Sequence, residues 1–230
     1  MGSGVRMITK IEPCFMVKSP PITIVLCPLA FEAQALAPLA KAGLIDVRQI
    51  GSGPERIRRA MAQIEAQPDQ SVLLAGVASG LDPTLGRGTA VWVNSIAGSE
   101  HQPTCPLPAG VRAVRCAQTA TLLRNCIQRT LLASSTDADI ADKECLAFAQ
   151  CAGPRPGHWG IVRGISDALD DSIPQLDDWV DDDGNPLSGP MVRHLVTHPW
   201  NWPSFIRTTA ASTRAMNHVQ RIIGALTARV

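Results

Sequence analysis

The sequence predicts an α/β fold with a mixed central sheet flanked by helices and a C-terminal helical extension, and three features carry that prediction. Short continuous apolar runs rich in β-branched residues recur along the chain, at 22–27, 71–77 and 159–165. The first two lead through Gly/Pro-containing turns toward stretches with helical spacing or further strands, as buried strands of an α/β sheet do. Beyond about residue 187 the strand signals stop and only helical patterns remain.

Taken in order, Met1 to Pro20 reads as a flexible leader without the long apolar run of a signal peptide or membrane helix. Ile22 to Cys27 is the first buried strand, and Phe31 to Ala42 a helix with apolar Leu36, Leu39 and Ala40, interrupted by Pro38. Val47 to Ile50 enters the Gly51-Ser52-Gly53 turn, and Pro54 to about Ala66 follows as a helix with Pro at its first turn and Ile57, Met61 and Ile64 on one face. Ser71 to Val77 is a second buried strand running into Ala78-Ser79-Gly80-Leu81-Asp82-Pro83, and Gly86 to Ser95 is a third. In the middle, Arg112 to Cys116 reads as a strand, Thr119 to Gln128 as a short helix, Thr130 to Ser134 as a strand and Ala141 to Ala152 as helix-forming. Trp159 to Ile165 is a core strand ending in Ser166-Asp167, and helices are expected at 189–197 and 204–226. Residues 21–230 thus read as one domain whose tail packs on it, a length that sustains a single large core.

Composition excludes several function classes. Hydrophobic residues make up 45% and charged ones 18%, with a formal charge of +1, so the chain is neither disordered nor broadly basic. Tyr is absent and Phe scarce, which removes the stacking platforms of a single-strand nucleic-acid binder. Seven cysteines without a CxxC pair indicate buried thiols in a reducing compartment, and a cytoplasmic location is expected. The five histidines form no HExxH motif; His194 and His198 share a helical spacing that Pro199 cuts short, so no metal is expected. Cys151 and His158 show no orienting partner for nucleophilic catalysis, and Gly51-Ser52-Gly53 lacks the rest of a dinucleotide-binding pattern.

The residues left for chemistry are acidic. Asp167 stands at the carboxyl end of a buried strand, where an open α/β sheet places ligand contacts; it either caps a following helix or serves as a proton donor of raised pKa. Glu32 lies at a strand-to-helix entry, and Glu144 is 23 positions before Asp167. Gly51 and Gly53 permit positive φ and the approach of an anion, or form a plain turn. The small residues Ala78, Ser79 and Gly80 admit a planar ligand or a second backbone.

The segments Pro28-Leu29-Ala30-Phe31-Glu32, Gly51-Ser52-Gly53, Gly76 to Leu85 with Gly88, and Val162-Arg163-Gly164-Ile165-Ser166-Asp167 resemble the nucleoside phosphorylase and nucleosidase superfamily over about residues 22–172. Asp170-Asp171-Ser172-Ile173-Pro174, the acidic turn before Gly184, and His198-Pro199 with Pro203-Ser204-Phe205-Ile206-Arg207 resemble the end of its hopanoid-associated phosphorylase branch. That branch is associated with removing adenine from adenosylhopane, a lipid-linked nucleoside.

The resemblance implies that Asp167 hydrogen-bonds to or protonates purine N7, that Glu144 binds the ribose hydroxyls and that Glu32 orients or deprotonates water. Ala78, Ser79, Gly80 and Ser166 would line the ribose and base, and Gly51 to Gly53 would lie near the nucleophile or an inorganic phosphate co-substrate. It implies no cofactor, cleavage by phosphorolysis or hydrolysis, and a homo-oligomer. Two alignments fit residues 140–153. In one, Asp142-Lys143-Glu144 stands where the family has a Met-Glu pair, with Lys143 in the methionine position; in the other this stretch is the preceding helix, the ribose glutamate is missing, and the chain is a weakened or inactive nucleoside-binding relative. Deleting a central strand would leave backbone groups unpaired, which favours the first. Trp200, Trp202, Phe205 and Ile206 either anchor the tail to the core or cover a greasy opening, with transient contact at the inner membrane face.

Overall fold

A computed structural model describes residues 23–65, 67–173, 181 and 183–227. The expected leader, Pro174 and Asp182 lie outside the described residues. The strands are β1 Thr23–Cys27, β2 Ile45–Gln49, β3 Ser71–Gly80, β4 Ala90–Ile96, β5 Arg112–Gln118, β6 Ile140–Asp142 and β7 His158–Asp167. The helices are α1 Ala30–Lys41, α2 Pro54–Ala62, α3 Cys126–Thr136, α4 Cys145–Ala152, α5 Ser188–Thr197 and α6 Trp202–Thr227.

The sheet is mixed, as expected, and part of it closes on itself. β3 pairs parallel with β7, β7 antiparallel with β4, β4 parallel with β5, β5 parallel with β6, and β6 antiparallel with the end of β3. β1 and β2 extend the sheet from β3. β1 leaves β3 after Leu74 and β6 joins it only at Ser79, so the chain edges part over the intervening residues. A cleft opens there, beside the carboxyl ends of β3 and β7.

Two helical layers cover the sheet. Ile57 and Met61 of α2 and Ala147, Phe148 and Ala149 of α4 share one core cluster with Leu74 and Ile161. On the other face Leu36 of α1 joins Met216, Val219 and Ile223 of α6 against Val25, Leu73 and Val162. Each of these large side chains contributes about 1.5–3 kcal/mol by burial, which explains why the tail helix is part of the domain. Gly164 allows that contact: a Cβ there would lie 2.6 Å from the Ala215 Cβ.

Several elements differ from the expectation. Pro38 does not break α1, because its ring and the carbonyl it leaves unbonded, that of Gln34, belong to exposed residues. The strand expected at Thr130 to Ser134 is the second half of α3. Asn125 caps that helix through the Gln128 N–H at 3.0 Å, and Asp137 ends it in the left-handed region at φ 53°. The short helix expected from Thr119 starts only at Cys126. Ile140–Asp142, expected to open a helix, is instead the three-residue strand that closes the ring.

Candidate active site

Each acidic candidate is held by a different element of the cleft wall. Glu32 is in the first turn of α1, where its Oε2 accepts the Leu29 N–H at 2.8 Å. Its Oε1 accepts the Val77 N–H at 2.7 Å, on the stretch of β3 where neither β1 nor β6 is paired. The side chain reaches this far inward because residue 76 is glycine: a Cβ there would stand 2.5 Å from Glu32 Oε1 and 2.7 Å from Arg163 Nη1. Burial raises the Glu32 pKa to about 8, against the opposing pull of the Arg163 charge and the two backbone N–H groups.

Glu144 follows β6 and precedes α4. Its Oε1 accepts from the Gly53 N–H at 2.7 Å and from the Ser52 hydroxyl at 3.0 Å, and its Oε2 lies 3.5 Å from Arg163 Nη2. Asp142, two residues earlier, caps α4 with Oδ1, accepting from Glu144 N at 3.1 Å and Cys145 N at 2.8 Å. Its Oδ2 accepts from Arg163 Nε at 2.7 Å. Arg163, from the middle of β7, is fully buried and serves both carboxylates. Burial raises the Glu144 pKa as well, opposed first by Arg163.

Asp167 ends β7 and is 3% exposed. The Ser166 hydroxyl lies 2.6 Å from its Oδ1 and 3.2 Å from the Ala78 carbonyl, with one proton to give to either. Arg129 Nη2 lies 2.8 Å from Oδ2 in an ion pair whose members are both buried. Burial raises the Asp167 pKa, and the Arg129 charge is the largest opposing influence. No helix follows Asp167 directly; Asp171 holds the turn instead, accepting the Ala168 N–H at 2.8 Å.

Glu32, Glu144 and Asp167 open into one cleft of about 540 Å³, mouth included, with Ala78, Ser79 and Ser166 along its floor and Lys143 in its wall. Gly80 stands behind that floor, where a Cβ would come within 3.2 Å of the Asp167 carbonyl. The cleft size suits a nucleoside-sized ligand.

The Gly51 to Gly53 turn has positive φ at both glycines, 85° and 100°, as the sequence suggests. Its Gly53 N–H and Ser52 hydroxyl point at Glu144, however, so these anion-binding donors are occupied by a carboxylate of the protein itself. His158 begins the strand that Asp167 ends, so the Cys151 and His158 pair is remote from the cleft acid. Among the described residues, Cys116, Asp142 and Cys145 bring ligand atoms within 4.8 Å of one another. They do not suit a cation, because both Asp142 oxygens are committed to α4 and Arg163, and burial raises both thiol pKa values.

Sequence reading missed three members of the site. Asp142 and Arg163 lie within segments that resemble the superfamily, and their charges on a short strand and inside a core strand were the available signal. Arg129 had no signal beyond being one arginine among many.

Neither a protein-family model nor a curated protein sequence matches the chain. Solved structures do. A futalosine hydrolase from Helicobacter pylori is similar with TM-score 0.63 at 12% identity, over 92% of this chain and 99% of the other. A methylthioadenosine/S-adenosylhomocysteine nucleosidase from the same organism, complexed with a pyrrolopyrimidine-bearing pyrrolidine, gives 0.64 at 12% over 93% and 100%. The Arabidopsis thaliana methylthioadenosine nucleosidase gives 0.56 at 14% over 90% and 96%. The mixed sheet, its helical layers and the C-terminal helix are thus the fold of these nucleosidases, spanned nearly end to end.

Proposed function

We propose that this protein hydrolyses the N-glycosidic bond of an adenine nucleoside and releases adenine. The observation that carries the reading is one cleft with a buried acid, Asp167, at one place and a carboxylate pair, Glu32 and Glu144, at another, on a nucleosidase fold. Cleavage builds negative charge on the departing base and positive charge on the sugar, so the two need different partners.

Asp167 gives a proton to purine N7 as the C1′–N9 bond breaks and its electron pair stays on the base. Glu144, fixed by Ser52, Gly53 and Arg163, accepts hydrogen bonds from the ribose hydroxyls. Water adds to C1′, and its proton passes to Glu32, whose pKa of about 8 lets it exchange protons near neutral pH. The proton lost by Asp167 and the one gained by Glu32 return through solvent, leaving adenine and the free sugar. Ala78, Ser79, Gly80 and Ser166 form the surface along which sugar and base lie.

Hydrolysis is favoured over phosphorolysis because the Gly51 to Gly53 donors already hold Glu144, and Arg163 and Arg129 are each ion-paired with carboxylates. The reaction needs no cofactor. A nucleoside incubation followed for adenine, with and without phosphate, tests this; sugar phosphate as the product would overturn hydrolysis.

The substrate we favour is lipid-linked, of the adenosylhopane kind, on a cytoplasmic protein that touches the inner membrane face. After Asp183 the sequence contains five arginines and no Asp or Glu. Val196 and Trp200 are each 70% exposed and Ile206 61%, around the junction of α5 and α6. A basic surface bearing apolar and indole side chains suits an anionic lipid interface. Within the described residues no helix is long and apolar enough to cross a membrane. Co-sedimentation with anionic but not neutral vesicles is expected, and its loss in W200A/I206S without loss of turnover; equal recovery with both vesicle types would refute it. Self-association is the other expected partnership, with exposed Ile127 and Leu131 of α3 as the surface to mutate.

A further inference from the structure

Arg129 is fully buried on α3, yet its guanidinium does more than fill space. Nη2 donates to the Leu123 carbonyl at 2.8 Å, and Leu123 belongs to the cleft wall. Nη1 donates to the Ala168 carbonyl at 2.9 Å and to the Asp171 carbonyl, both in the turn that follows β7. The same guanidinium lies against Asp167 Oδ2 at 2.8 Å. One side chain therefore joins the acid to the two loops beside it.

We infer that Arg129 is the positioning residue of the acid, fixing the carboxyl of Asp167 between the two loops and setting how firmly it holds its proton. The inference rests on the assignment of Asp167 as the proton donor. Burial alone favours a neutral carboxyl that parts with its proton reluctantly, whereas an adjacent guanidinium favours the carboxylate and makes the group a better acid. A purely structural arginine would be fully satisfied. Here Arg129 Nε has no hydrogen-bond partner, and Asp167 Oδ2, although close to Nη2, makes no well-directed hydrogen bond. The pair has latitude to realign when a base occupies the cleft.

The charged and titratable groups facing Asp167 are Arg129 and, more distantly, Asp171, which is itself paired with Arg87. Arg129→Met removes the charge and the donors, while Arg129→Gln keeps an amide donor for the carbonyls and removes only the charge. Two readouts are compared in each: the titration of Asp167 by carboxyl carbon-13 resonance, assigned with Asp167→Asn, and the pH profile of adenine release.

In both variants the Asp167 midpoint should rise by about one unit or more, the alkaline limb of kcat should move up with it, and KM should change little. Arg129→Lys should keep the midpoint near that of the unaltered protein. An unmoved midpoint in a folded Arg129→Gln protein would overturn the inference. Because the resonance is read without turnover, a shifted midpoint in a protein that releases no adenine sustains the inference and sinks the assigned reaction instead.

Discussion

The two charged groups of the cleft are built on opposite stoichiometries. Around Arg163 three carboxylates, those of Glu32, Asp142 and Glu144, converge on one guanidinium, whereas Asp167 faces Arg129 one to one. The crowded group cannot ionise fully at low cost in a buried setting, so a proton is retained there, and Glu32 is the group that keeps it. The balanced pair can exist as carboxylate and guanidinium without a surplus charge. A carboxyl rich in protons beside the site of water attack, and a counter-charged acid beside the leaving base, are two separate tools made from the same residue types.

The difference can be broken at either end. Removing the acid should have the largest effect on rate: Asp167→Asn is expected to lower kcat by about 10²- to 10⁴-fold, the usual range for a general acid, with KM nearly unchanged. Single-turnover adenine release measures it, and robust turnover would remove Asp167 from the chemistry. At the crowded end Arg163→Met should cost stability first, because it strands buried carboxylates without a counter-charge. A loss of about 3–5 kcal/mol in urea unfolding is expected.

A smaller effect tests how Glu32 is admitted to the crowded group. Gly76→Ala would push a methyl to 2.5 Å from the Glu32 carboxylate, and a loss of about 1–3 kcal/mol is expected. The smallest concerns pH. Folded Glu32 holds its proton up to about 8, against 4.5 for an ordinary glutamate, so between those values the folded chain binds more protons than the unfolded one. Its contribution is therefore fully present at the acid end and lost as pH rises through that window. Glu32→Gln should flatten the fall in denaturation midpoint between about pH 5 and about pH 9. An unchanged slope would mean that the proton is held elsewhere.

How much of this was legible from sequence depended on whether a residue's partners lay nearby in the chain. β1, β3 and β7 were readable because each is a continuous apolar run, and Asp167 because it ends the last of them. Glu32 likewise sat at a visible strand-to-helix entry. β6 has three residues, too few for any period to show, and its existence decides whether Glu144 reaches the cleft. α3 was misread in part because Thr130-Leu131-Leu132 mimics a strand; Ile127 and Leu131 face outward, so the helix lacks a strong apolar stripe. Arg129 was invisible for a different reason: its partner is 38 positions away, and only the closed ring of strands brings them together.

The same closure places Glu144 against the Gly51 to Gly53 turn, and this contact turns a loop that reads as a phosphate cradle into a support for a carboxylate. It also decides the acceptor of the sugar. Incubating the protein with an adenine nucleoside in ¹⁸O-labelled water, with and without phosphate, and weighing the sugar product tests the account most directly. The account predicts free adenine and a sugar carrying one labelled oxygen at the same rate in both media. Unlabelled sugar phosphate, or saturable nucleoside binding with no adenine released, would contradict it.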